Sequence, residues 1–188
     1  MSTTSFTLAE FKQHYQTILP RYTMNPQYLR LIESRLQDAL KIRKRVFVMR
    51  LDVHFPSTFP YSSISTFLKR FIRKEQSAGY SPTYVWVREY APQVGLHYHL
   101  VLFLNGYKTR QTYPHIQNAR TVLAQLISDA KRNDPDLDSS NASIHDCSNR
   151  HNGIMVYRDN YDESLAEVYR QTSYLAKIDQ KVLPSLIR

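Results

Sequence analysis

Apolar residues recur every three to four positions in several stretches of the chain, and this spacing predicts helices. The capping-box pattern Thr7-Leu8-Ala9-Glu10 predicts a short first helix that ends near Pro20. Asn25 followed by Pro26 is typical of a helix start, so a second helix should run from there to about Arg45. Three more helices are predicted around Ser63 to Ser77, from Ile116 to Ala130, and from about Asp162 to Lys181.

Elsewhere apolar residues alternate with a period of two, which is the pattern of β-strands. The first such segment, Val46–Phe55, has one wholly apolar face and one partly polar face. Thr83 to Tyr90 and Leu96 to Leu104 are joined by a short loop, so they predict an antiparallel hairpin. Ser143 to Cys147 and Ile154 to Arg158 predict a last hairpin that turns at Asn152-Gly153.

These elements predict an α+β fold with a mostly antiparallel five-stranded sheet, helices packed on it, and two helices preceding it. We expect residues 1–45 to form an N-terminal helical extension and residues 46–188 to form the main domain. A chain of 188 residues is long enough for one sizeable core and too short for two full domains. Its 42% apolar residues and only 4 glycines argue against long disorder.

The net charge of the chain indicates which class of molecule it binds. The formal net charge is +9, from 25 Lys and Arg against 16 Asp and Glu. A basic surface concentrates polyanions, so nucleic acid is the first partner to consider. The 14 tyrosines suit single strands, because tyrosine stacks on unpaired bases. A generically basic protein with ordinary core tyrosines is the alternative.

The single cysteine, Cys147, excludes an internal disulfide framework and a cysteine-based metal site. The N-terminal residues lack a secretory signal, and no apolar run is long enough to span a membrane. These features fit a reducing cytoplasm and no membrane partner.

The strand from Leu96 carries His97 and His99, whose side chains should share one face. Two imidazoles on an apolar strand are costly to bury, and a divalent cation would satisfy both. If the hairpin is symmetric about Gln93, Glu89 lies across from His97 on the same face. Two imidazoles and a carboxylate would suit Mg²⁺ or Mn²⁺. The alternatives are structural histidines, Glu89 paired with Arg88 or Arg50, and Asp52 as the third ligand.

The last predicted helix separates two tyrosines. On a helical wheel Tyr169 falls in the apolar stripe, whereas Tyr174 falls nearly opposite it. Arg170, Lys177 and Lys181 lie around Tyr174, and such cations favour a phenolate and stabilise an attacked phosphate. The alternative is an ordinary surface tyrosine on a solvated basic helix. Leu165, Val168, Thr172 and Ala176 complete the apolar stripe with Tyr169.

In this order the motifs resemble those of the HUH endonucleases: a strand, then His-hydrophobe-His, then Tyr-x-x-Lys on a helix. The resemblance spans about Val46 to Lys181. Within that superfamily the chain resembles most the filamentous-phage (inovirus) replication proteins, through the segments Gly95–Phe103 and Ser173–Lys177. Ile178 stands where two-tyrosine members have a second tyrosine, so a single-tyrosine enzyme is implied.

The resemblance implies an RRM-like nuclease fold and a rolling-circle replication initiator in the cytoplasm of a bacterial host. Its metal, Mg²⁺ or Mn²⁺, would be held by Glu89, His97 and His99. Tyr174 and Lys177 would be catalytic, leaving a 5′-phosphotyrosine and a free 3′-hydroxyl. The remaining residues implied to contact DNA are Arg50, Arg170 and Lys181.

The implied partners are single-stranded DNA or a DNA hairpin at a replication origin. A host helicase is a further expected partner, because the chain has no Walker-type glycine-rich loop. Two rival interpretations remain. One is a transposase or relaxase with the same chemistry, and the other is a non-catalytic RRM-like module that binds nucleic acid.

Overall fold

The computed structural model describes residues 25–91, 95–148 and 153–176. The helix predicted from Thr7 to about Pro20 lies outside these residues. The described helices are α1 (Pro26–Ile42), α2 (Ser63–Ser77), α3 (Tyr113–Lys131) and α4 (Tyr161–Thr172), with 3-10 turns at Arg158–Asn160 and Ser173–Ala176. The strands are β1 (Arg45–His54), β2 (Thr83–Ala91), β3 (Gly95–Asn105), β4 (Ser143–Asp146) and β5 (Ile154–Tyr157).

The five strands form one antiparallel sheet, which confirms the α+β prediction. Its order is β2-β3-β1-β4, and β5 also pairs with β1. β2 and β3 form the predicted hairpin, in which Glu89 is the register partner of His97. None of the helices in the described ranges is long and apolar enough to cross a bilayer.

The predicted last hairpin is wrong. β4 pairs with β1 along Leu51–His54, and β5 pairs with β1 along Arg45–Val48, so both segments continue one edge of the same strand. Ser148 occupies the gap between them, because its hydroxyl accepts from Arg50 N at 2.8 Å and donates to Arg50 O at 3.0 Å. This side chain satisfies Arg50 N at the interruption of the ladder, whereas Arg50 O also accepts from Cys147 N at 3.0 Å.

Helices cover both faces of the sheet. α2 and α3 pack on the face that carries Tyr98, Leu100 and Leu102, as the alternation in β3 predicts. α1, α4 and the Ser173–Ala176 turn pack on the other face, which carries Val87 and Val101. α1 therefore shares a core with the sheet. Its start is capped as predicted, since the Asn25 side chain accepts from Gln27 N at 2.9 Å.

The last predicted helix is shorter than the apolar pattern indicates. α4 ends at Thr172, and Ser173–Ala176 form a 3-10 turn; residues from 177 onward lie outside the described ranges. Thr172 and Ser173 are weak helix formers because their hydroxyls compete for backbone groups, and Thr172 Oγ1 donates to Val168 O at 2.7 Å. The turn instead joins α1, since Asn25 N donates to Ala176 O at 2.7 Å.

Candidate metal centre

Strand register brings Glu89, His97 and His99 together. Glu89 lies opposite His97 across the β2–β3 hairpin, and His99 is two residues further along the same face. Each residue offers one ligand atom, and these atoms lie within 4.8 Å of one another. All three residues are buried, with 1%, 7% and 2% of their surface exposed. Among the described residues this group alone gathers three such donors.

The carboxylate of Glu89 faces both imidazoles. Its Oε2 lies 2.6 Å from Nε2 of His99 and 3.9 Å from Nε2 of His97. Of the alternative partners predicted for Glu89, Arg88 stacks over Tyr61 at 5.2 Å from the ring centroid, and Arg50 binds Asp52. Because a carboxylate and two imidazole nitrogens converge in a buried place, a divalent cation would satisfy them together.

Asp52, the reserve third ligand, lies behind His99. Asp52 is the register partner of His99 across β1 and β3, and its Oδ1 lies 2.7 Å from His99 Nδ1. Arg50 Nη2 is also 3.2 Å from Nδ1, but the shorter contact to the carboxylate favours an Nδ1–H that donates to Asp52. With Nδ1 so occupied, Nε2 is the nitrogen available to a metal, which is how carboxylates orient metal-binding histidines.

The surroundings of Asp52 stabilise its carboxyl group in the charged form. Burial alone would raise the pKa of Asp52, but the hydrogen bond from His99 and the positive charge of Arg50 hold that pKa well below its usual range. Arg50 Nη2 lies 3.2 Å from Asp52 Oδ2, and only 12% of the Arg50 side chain is exposed. Arg50, predicted to contact DNA, is thus placed beside the candidate metal group.

Two further histidines, which the sequence did not assign to the site, lie beside the three candidate ligands. His54 ends β1 as the register partner of His97, and the two rings stack with centroids 5.0 Å apart. His145 on β4 lies edge-on to His54 at 5.2 Å. Burial, with the neighbouring His97 and His145, lowers the pKa of His54 to about 4. The alternation of Arg50, Asp52 and His54 along β1 indicates that their side chains share one face. Only the strand register shows that His54 contacts His97.

A second buried histidine–carboxylate pair, His115 with Glu75, lies on the opposite face of the sheet. His115 Nδ1 lies 2.6 Å from Glu75 Oε2, and its Nε2 lies 2.8 Å from Thr109 Oγ1. Asn118 donates to the other Glu75 oxygen at 2.8 Å. The cluster joins α2 to α3, and its donors are bonded to one another, which favours a structural role.

Of the two tyrosines in the last segment, Tyr169 lies where the sequence predicts it. Tyr169 is buried, and its hydroxyl donates to Glu33 Oε2 at 2.7 Å, which confirms it as a core aromatic. Tyr174 lies in the 3-10 turn after α4, and its neighbours Leu175 and Ala176 are fully buried. That turn packs on the sheet face shared by the histidines.

The basic residues predicted around Tyr174 are only partly described. Arg170 is exposed, and its Nε donates to Glu167 at 2.7 Å, so much of its charge is balanced on its own helix. Lys177 and Lys181 lie outside the described residues.

Comparison with known proteins gives one match. A family model described as the YagK/YfjJ C-terminal domain matches residues 7–185. No curated protein and no solved structure matches the chain.

Proposed function

The chain belongs to the YagK/YfjJ C-terminal domain family, and we propose that it is a metal-dependent endonuclease that nicks and rejoins single-stranded DNA through Tyr174. The observation that carries the proposal is the buried Glu89–His97–His99 group with Asp52 behind it. We further propose the biological role of a rolling-circle replication initiator, from the motif order of the HUH endonucleases.

The donor set fits a hard divalent cation such as Mg²⁺ or Mn²⁺. One carboxylate and two imidazoles are provided by rigid, hydrogen-bonded strands, and three donors leave positions open for a phosphate. Glu89, His97 and His99 would hold the cation, and because metal ligands bind in their deprotonated form, binding would displace any proton shared between Glu89 and His99. When bound, the cation would polarise the phosphate and offset the charge that develops on it.

Tyr174 is the proposed nucleophile. Its phenol oxygen bonds to phosphorus while the bond from phosphorus to the 3′ oxygen breaks, and the phenol proton ends on that oxygen. The products are a 5′-phosphotyrosine and a free 3′-hydroxyl. Attack by a 3′-hydroxyl reverses the step without ATP, because the covalent link keeps the phosphodiester energy. Lys177 is proposed to stabilise the charged phosphate, and Arg50, Arg170 and Lys181 to contact the strand.

Two structural features support the proposal beyond the metal group. From β1 to β4 the elements follow one another along the chain as β-α-β-β-α-β, and the strands lie side by side in the order β2-β3-β1-β4. This is the arrangement of split β-α-β domains, which RRM-like domains share. The segment with Tyr174 packs on the histidine face and not on the opposite one.

A non-catalytic RRM-like binder is the second candidate. Such modules stack bases on exposed aromatics of the central strands. At the corresponding positions this sheet carries buried His97, His99 and Glu89, so we favour the catalytic function. A transposase or relaxase would use the same chemistry at a different DNA site.

The decisive experiment incubates the protein with assorted single-stranded oligonucleotides and Mn²⁺ and looks for a denaturant-resistant adduct. The wild type should form it, whereas Tyr174→Phe should form none and keep its fold. Peptide mapping should find the DNA on Tyr174. An adduct on another residue, or an active Tyr174→Phe variant, would contradict the proposed nucleophile.

The metal group is tested separately. The His97→Ala/His99→Ala double variant should lose Mn²⁺ binding in calorimetry, because two of its three donors are gone. His145→Ala is the matched control, since it removes a neighbouring imidazole and leaves the three donors intact. Undiminished Mn²⁺ affinity in the double variant would place the site elsewhere.

A further inference from the structure

An aromatic and basic surface lies at the end of the sheet opposite the candidate metal group. It is built by Arg45 at the start of β1, Tyr107 just after β3, and Tyr157 at the end of β5. The Arg45 guanidinium carbon lies 5.8 Å from the centroid of the Tyr107 ring and 5.4 Å from that of Tyr157. We call these three residues the distal platform.

The distal platform is held in place by the fold. Arg45 and Tyr157 are register partners, and Arg45 Nε lies 3.2 Å from Met155 Sδ. Gly106 N donates to Arg45 O at 3.2 Å and brings the Tyr107 loop against β1. A Cβ on Gly106 would lie 2.8 Å from Arg45 Cγ, so the close approach requires glycine there.

The platform nevertheless remains accessible. Tyr107 and Tyr157 expose 63% and 45% of their surface, so a ligand can reach both rings. Both exposed rings also lie within 5.8 Å of the same guanidinium.

Exposed cations adjoin the platform residues along the chain. Each of the three segments pairs a platform residue with an exposed cation: Lys44 precedes Arg45, Lys108 follows Tyr107, and Arg158 follows Tyr157. Arg158 also caps α1 through the carbonyl oxygens of Leu40 and Lys41. Asp159 is the nearest acid in these segments, so cations predominate.

Exposed tyrosines among cations are what proteins use to bind unpaired nucleic acid, since the bases stack and the phosphates meet positive charge. We propose that the distal platform binds an unpaired segment of the same DNA strand that the metal group is proposed to cut; the identity of the ligand rests on that proposed function. β1 separates Arg45 from His54 by nine residues, which is about 30 Å along a strand, and this odd spacing places the two residues on opposite faces of the sheet. The DNA must therefore pass around the sheet to reach both the platform and the metal group.

The test measures binding of fluorescein-labelled oligothymidine by anisotropy in EDTA, so that neither metal nor cleavage contributes. The Tyr107→Ala/Tyr157→Ala variant should bind at least roughly ten-fold more weakly, given the usual contribution of a stacked base. Tyr107→Phe/Tyr157→Phe should bind like the wild type, because stacking needs the ring and not the hydroxyl. Tyr113→Ala, which removes a tyrosine that is 68% exposed on α3, should also be unchanged.

The platform is refuted if the alanine pair binds like the wild type, if Tyr113→Ala weakens binding equally, or if the wild type does not bind oligothymidine. Competition by polyglutamate as strong as by unlabelled oligothymidine would also refute it, because charge alone would then explain binding. Adduct formation with Mn²⁺ separates the two proposals. If the alanine pair binds oligothymidine more weakly but the wild type forms no adduct, the platform proposal stands and the nuclease proposal is rejected.

Discussion

Asp52 Oδ1 lies 2.7 Å from Nδ1 of His99, the ring whose other nitrogen faces Glu89. This contact joins a residue of β1 to one of β3 and determines which His99 nitrogen is left for a cation. Carboxylates behind metal-binding histidines commonly have this role, and they contribute to affinity without touching the metal.

Asp52→Asn should therefore weaken Mn²⁺ binding by about 10- to 100-fold, because the amide cannot hold the Nδ1–H tautomer as firmly. Calorimetric titration measures the effect. Asp129→Asn is the control, since it neutralises another aspartate, which is 41% exposed and pairs with Arg70 away from the site. If both variants bind Mn²⁺ like the wild type, Asp52 does not orient the site.

Tyr169→Phe should lower the free energy of unfolding by about 1.5–3 kcal/mol, the usual contribution of a hydrogen bond to a charged group. The reason is loss of the bond to Glu33, which joins α4 to α1. Urea denaturation gives the stability, and the adduct assay should show retained cleavage. Loss of the adduct in a folded Tyr169→Phe protein would mean that this hydroxyl takes part in the chemistry.

Gly153→Ala should destabilise the protein by about 2–4 kcal/mol, by combining backbone strain with a steric clash. Gly153 has φ +83°, and an added Cβ would lie 2.5 Å from Phe47 Cζ and 2.7 Å from Val48 O. Gly79→Ala is a matched control, because Gly79 has φ +82° with open space around it. It should cost only the strain, about 1–2 kcal/mol. Equal losses in urea denaturation would mean that the approach of β5 to β1 is not tight.

Cys147 should react slowly with iodoacetamide in the native protein at pH 8. Burial, together with the negative charge of Asp52, raises the pKa of the thiol to about 12, so the reactive thiolate is scarce below that pH. Mass spectrometry over time would follow the alkylation. The rate should rise sharply in denaturant, where the ordinary pKa returns; equal native and denatured rates would contradict the burial.

Much of the fold and the core of the candidate site could be predicted from the sequence, because both depend on local periodicity. The alternation in β2 and β3, with a short loop centred on Gln93, was enough to place Glu89 opposite His97, as the register confirms. The helical stripe likewise identified Tyr169 as a core residue. These features are fixed by neighbours within a few residues along the chain.

Contacts between segments that are distant in the sequence could be identified only from the tertiary structure. The β1–β3 register puts Asp52 behind His99 and His54 against His97, although 47 and 43 residues separate the two pairs. The predicted β4–β5 hairpin failed because the free edge of β1 offered both segments a partner and Ser148 closed the gap. The pattern of a strand shows which face is buried, but its pairing partner is decided by which edge remains unpaired once the core has packed.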